Sequence, residues 1–105
     1  MRLRFIRAGL PRTLVNVEVR TVAGVHLATP DLQFEEFRMA LDYEGLHHLT
    51  NATQWRKHLA RVPRLQDAGW HHTRMSADDL ADSTELIARL RRVLVERGWR
   101  GEVPR

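Results

Sequence analysis

A chain of 105 residues, 43% hydrophobic and 29% charged, has the composition of one globular domain, residues 1–105, and not of a disordered tail. The absence of cysteine excludes disulfides, Cys-ligated zinc and a thiol nucleophile. Net charge is +4, and 16 of the 17 basic residues are arginine, a skew that fits either GC-rich codon usage or a surface for phosphate oxygens, which the guanidinium fork binds bidentately.

Residues 2–9 have helical spacing, with Leu3, Phe5, Ile6 and Leu10 apolar and Arg2, Arg4 and Arg7 between them; Pro11 stops that helix. From Val15 the period becomes two, and Val15, Val17 and Val19 predict a half-buried strand. Ala23-Gly24 offers a tight turn into a second strand from about Val25 to Leu32, with an irregularity at Pro30. Phe37, Met39, Leu41 and Tyr43 alternate with polar or small residues and predict a third strand, ending at Gly45. Trp55, Leu59 and Val62 then lie on one helical face, with Arg56, Lys57, Arg61 and Arg64 away from it. Pro63 should kink this helix and Gly69 should close it.

Trp70 to Met75 predicts a fourth strand. Ser76 with Asp79 caps one short turn, and Asp82 with Glu85 starts a last helix that turns Leu86, Ile87, Leu90, Val93 and Leu94 inward until Gly98. The order is α-β-β-β-α-β-α. The helical crossover makes the fourth strand parallel to one already in the sheet, so an α/β (α+β) fold with a mixed sheet flanked by helices is expected. No apolar run approaches the roughly 18–20 residues of a membrane helix. Residues 1–7 lack the apolar stretch of a signal peptide, so a cytoplasmic protein with no membrane partner is expected.

Asp42 and Glu44 are two apart on a strand, so both side chains leave one face, with Cα atoms about 6.5 Å apart. Asp31 ends the neighbouring strand and a short connection could bring it alongside. Three carboxylates at one sheet end suit a hard divalent cation, magnesium or manganese, which can activate water and stabilise a phosphoryl transition state. The same spacing also describes solvated acids on a strand and its turn.

The stretch from Asp31 to Gly45, Asp-Leu-Gln-Phe-Glu-Glu-Phe-Arg-Met-Ala-Leu-Asp-Tyr-Glu-Gly, resembles the core of the Vsr-like (very-short-patch-repair-like) endonuclease domains of the PD-(D/E)xK, restriction-endonuclease-like group. That family shows an acidic residue, a hydrophobic strand ending Glu-aromatic-Asp-Gly, and then a His. Here the matching residues are Asp31, then Asp42-Tyr43-Glu44-Gly45, then His47 or His48. The resemblance continues through Gln54-Trp55-Arg56, Leu65, Ala68-Gly69-Trp70 and Ser76 to Leu80, and spans about Ala8 to Arg97.

The resemblance implies a restriction-endonuclease-like fold and a metal-dependent DNA endonuclease serving DNA repair or defence against foreign DNA. It implies magnesium or manganese on Asp31 and Asp42 with Glu44 close by, and His47 or His48 at the attacking water or leaving group. The Asp42 and Glu44 order is swapped relative to the family. No acidic residue precedes Glu18 where relatives carry a Glu on the first helix, and the winged-helix domain that precedes this one in many relatives is absent from the sequence. These departures motivate the alternative, a catalytically degenerate nuclease fold kept as a DNA- or protein-binding module. Partners are then DNA, a second copy of the chain, or a separate N-terminal domain.

Arg56, Lys57 and Arg61 are the expected DNA contacts; a solvated helix face is the alternative reading of the same residues. The arginines of the last helix sit among Glu85 and Glu96 and are expected to solubilise. Six histidines could suggest zinc, but His71 and His72 are strand neighbours and point to opposite faces. Trp55 and Trp70 fit core positions, and Trp99 stands in a polar tail where it must pack back on the domain or on a second chain.

Overall fold

The computed structural model describes residues 1–44 and 52–101, and for 52–55 and 57–59 the helical backbone only. In chain order the elements are α1 (Arg2–Arg7), β1 (Leu14–Val15), β2 (Val19–Arg20), β3 (His26–Ala28), β4 (Leu32–Phe34), a 3-10 turn (Glu35–Phe37), β5 (Met39–Tyr43), α2 (Ala52–Asp67), β6 (His71–Met75), α3 (Ala77–Ala81) and α4 (Thr84–Glu96). A four-stranded sheet runs in the order β1-β4-β5-β6, and β2 with β3 forms a separate hairpin. β4 pairs antiparallel with β1 on one side and with β5 on the other, whereas β6 returns through α2 and pairs parallel to β5, with Met39 opposite His71 and Asp42 opposite Arg74. The expected α+β class, with a mixed sheet between helices, is what the chain forms.

The two sheet faces carry two cores. On one, Phe5 of α1, Leu32, Phe34, Met39, Leu41 and Met75 of the strands, and Leu86, Leu90 and Leu94 of α4 pack together. The four-residue spacing of the α4 leucines sets them on one stripe. The Phe5 and Phe34 rings lie 5.8 Å apart between α1 and the sheet. Trp99 is buried in this core; its amide donates to Leu94 O at 2.9 Å and the Arg91 guanidinium lies 5.9 Å from its ring centre. On the other face Leu65 of α2 meets Ala40 of β5 and Val19, Leu27 and Ala28 of the hairpin, with Trp70 against them.

The single strand expected over Val15 to Val19 is instead two short strands in different sheets. Asn16 between them has φ +55°, a left-handed conformation that ends the first strand, and its amide donates to Asp31 O at 3.1 Å. The second expected strand is likewise divided at Pro30 into β3 and β4, because proline cannot donate to a ladder. The third starts at Met39 and not at Phe37, since Arg38 at φ +53° closes the 3-10 turn. Of the apolar residues in α1, Leu3 and Ile6 are exposed and only Phe5 is buried.

α2 runs on through Pro63, which is exposed, and ends before Gly69 at φ +87°. Ser76 and Asp79 form a reciprocal capping box on α3. α4 begins two residues after Asp82, whose Oδ1 accepts from the Thr84 amide at 3.0 Å, so Asp82 and Glu85 do not make the expected box.

Candidate functional site

The register Leu32 to Leu41 brings the ends of β4 and β5 together, and with them Asp31 and Asp42. The Asp31 amide donates to Asp42 Oδ1 at 3.1 Å, and Asp31 Oδ2 accepts from the Tyr43 amide at 2.8 Å. The two carboxylates are thus neighbours, each fixed by backbone of the other's strand. Parallel pairing puts Ala40 beside His72 and Asp42 beside Arg74, so side chains two residues apart on β5 and β6 share the α2 face. There His72 Nε2 donates to Asp42 Oδ2 at 2.9 Å. The Asp42 and His72 side chains are only 2% and 4% exposed.

A third group reaches the same carboxylate. Arg61 stands one helical turn before the buried Leu65, on the sheet side of α2 and not on its outer face as the spacing suggested. Its guanidinium lies 3.4 Å from Asp42 Oδ1, with the side chain 31% exposed. Burial opposes ionisation of Asp42, but the His72 hydrogen bond, the Asp31 amide and the Arg61 charge outweigh it and hold the carboxyl below its ordinary range. His71, the neighbour, faces the other way, 3.0 Å from Thr73 Oγ1; burial first, then the charges of Arg97 and His72, lower its basicity.

Among the described residues no three His, Asp or Glu side chains are grouped so as to hold a metal ion. Asp31 and Asp42 are brought together, but Glu44 is exposed past the end of β5, its amide bonded to Met75 O at 2.7 Å. Asp42 already faces a guanidinium and an imidazole, and the described donors do not form the magnesium or manganese site of three carboxylates. Gly45, His47 and His48 lie outside the described residues, as do the side chains of Trp55, Lys57 and His58.

Arg61 also lines a groove of about 520 Å³ between the hairpin and α2. One wall is β3 and the residue after it, His26 to Thr29; the other is Arg56, Ala60, Arg61 and Arg64. Arg56, Ala60 and Arg64 succeed one another at four-residue intervals, which stacks them in one row along α2. Of the expected DNA contacts, Arg56 and Arg61 therefore share one concave surface, joined by Arg64.

The hairpin wall is firmly built. The Thr21 amide donates to Val25 O and the Gly24 amide to Thr21 O, both at 2.8 Å, and the Arg20 guanidinium donates to Gly24 O at 2.9 Å. Glu18 bridges Arg20 and His26, and those two hydrogen bonds, His26 first, hold its carboxyl below the ordinary range. His26 and His72 were not legible as parts of this site. The strand pattern predicts β3 and β6 but not the tertiary contacts that bring α2 between them. Comparisons of the chain with protein-family models, curated proteins and solved structures gave no match.

Proposed function

We propose that this domain binds DNA through its phosphate backbone in the groove between the β2–β3 hairpin and α2, and that the buried Asp42 and His72 side chains, with half-buried Asp31 beside them, serve as the anchor of that surface. The observation that carries the reading is the double position of Arg61, which lines the groove and is tethered at 3.4 Å to Asp42. A guanidinium fixed from behind loses less side-chain freedom when it meets a phosphate than one free in solvent. Arg56 and Arg64 add two further forks on the same wall.

A metal-dependent endonuclease is the second reading. The adjacency of Asp31 and Asp42, bridged by a 3.1 Å hydrogen bond, and the resemblance to the Vsr-like domains favour it. It requires the Asp42 carboxylate to exchange Arg61 for a divalent ion.

One experiment addresses both. Purified protein is incubated with supercoiled plasmid, with and without magnesium or manganese, and both retardation and nicking are read. Retardation without nicking is the expected result. Metal-dependent nicking that disappears in Asp42→Asn replaces the first reading by the second, and absence of retardation at low salt overturns the binding surface.

A further inference from the structure

Two features of the groove go beyond a basic surface. Part of its lining is apolar, Leu27 and Ala28 on the hairpin, both buried, and exposed Ala60 on α2, beside Arg56, Arg61 and Arg64. Its volume of about 520 Å³ lies within the range of pockets that enclose small organic molecules. A DNA duplex carries its phosphates on the outside and keeps its bases stacked within, so it reaches the arginines and leaves the apolar lining bare. A single strand presents sugar and base together with phosphate, and fills both.

The second feature is the tip of the hairpin. Val22 is fully exposed and Val25 largely so, although the turn that carries them is held by the Thr21, Gly24 and Arg20 hydrogen bonds and is anchored below by buried Val19 and Leu27. Aliphatic side chains held out on a rigid arm are the kind of group that enters between base pairs and keeps them unstacked. The arm continues from His26, which itself lines the groove, so the tip rises from the wall that faces the arginines of α2.

Resting on the proposed DNA binding, we infer that the groove takes an unpaired DNA strand and that Val22 acts as a wedge where single and double strand meet. Phosphates of the unpaired strand lie on Arg56, Arg61 and Arg64, its sugars and bases lie over Leu27, Ala28 and Ala60, and the last base pair of the adjoining duplex abuts Val22.

The test uses the full chain and three fluorescein-labelled DNAs at one fixed salt concentration: a single strand, a blunt duplex and a duplex with splayed ends. Anisotropy titrations are expected to show the splayed duplex bound more tightly than the blunt one by about fivefold or more, the low end of what one base contact contributes. Val22→Ser, at an exposed turn position, is expected to remove that preference and to leave single-strand affinity within about twofold. Blunt duplex bound as tightly as splayed, or a preference unchanged in Val22→Ser, overturns the inference while the groove reading stands. No binding to any of the three overturns the groove reading itself.

Discussion

His72 and Asp42 meet across parallel strands, imidazole Nε2 to carboxylate Oδ2 at 2.9 Å, in a position that solvent barely reaches. Two further groups reach that carboxylate: the Asp31 amide from the antiparallel side and the half-buried Arg61 guanidinium from the helix above. Asp42 is therefore the point where two strands and α2 are joined electrostatically. A buried charge of this kind is costly when one partner is removed.

Asp42→Ala is expected to destabilise the fold by about 3 kcal/mol, the lower end for breaking a buried pair, because Arg61 can turn to water. Glu44→Ala, at an exposed position, should stay within about 0.5 kcal/mol. Urea unfolding followed by far-ultraviolet circular dichroism measures both. Equal losses in the two variants would contradict the assignment of Asp42 as the joint.

The pH dependence follows from the signs. Asp42 has a lowered pKa in the fold, so its contribution is complete above the ordinary aspartate range and is lost as pH falls through and below it. Glu18, held low by His26 and Arg20, and Asp82, held low by Thr84, share that acid limb. His71 is a base with a lowered pKa, so the unfolded chain takes up its proton first and stability declines as pH drops through about 6.5. Thermal melts between neutral and acid pH should show a decline in two stages. His71→Gln should remove the upper stage and Asp42→Asn should diminish the lower.

Groove arginines and α4 arginines should separate in DNA binding. Each of Arg56→Ala, Arg61→Ala and Arg64→Ala should weaken binding and reduce the slope of log affinity against log salt by roughly 0.9 for each phosphate that is no longer neutralised. Arg89 and Arg92 line a different depression with Asp79 and Glu85, where acids offset them, and their alanine variants should leave slope and affinity unchanged. Titrations over a series of salt concentrations decide this.

Gly69 closes α2 at φ +87°, and a Cβ placed there would stand 3.8 Å from the Arg38 guanidinium, an ordinary contact. The cost of Gly69→Ala is then one of backbone conformation alone, about 1–2 kcal/mol. A larger loss in denaturant titration would mean that the end of α2 is held by more than its local turn.

The fold was legible where one residue type carries one local instruction. Gly69 ends a helix, the Ser76 and Asp79 pair opens one, and the change from α2 back to strand at Trp70 demanded the parallel neighbour that β6 becomes; α1 stops at Arg7, ahead of Pro11, where Gly9 at φ +76° turns the chain. It was not legible where alternation alone was the signal. Val15, Val17 and Val19 alternate like one strand, yet Gln33 Nε2 donates to Val17 O at 2.7 Å and Asn16 turns the chain, so the segment divides between two sheets.

The site shows the same division. Asp31 beside Asp42 follows from two strands with a short connection between them. The partnership with His72 depends on parallel register between segments far apart in the chain, and Arg61's reach to Asp42 depends on which side of α2 Leu65 buries. Those are properties of packing. Arg61 illustrates the point: helical spacing put it outside, and tertiary packing turned it in.

The central claim, that the hairpin and α2 form the DNA-binding surface, is tested most directly by amide chemical-shift mapping on the isotope-labelled chain during titration with a single-stranded oligonucleotide. The account predicts that the largest shifts fall on residues 26–29 and 56–64 and saturate together, with α4 unmoved. Shifts centred on Arg89 and Arg92, or spread evenly over the arginines of the chain, would contradict it.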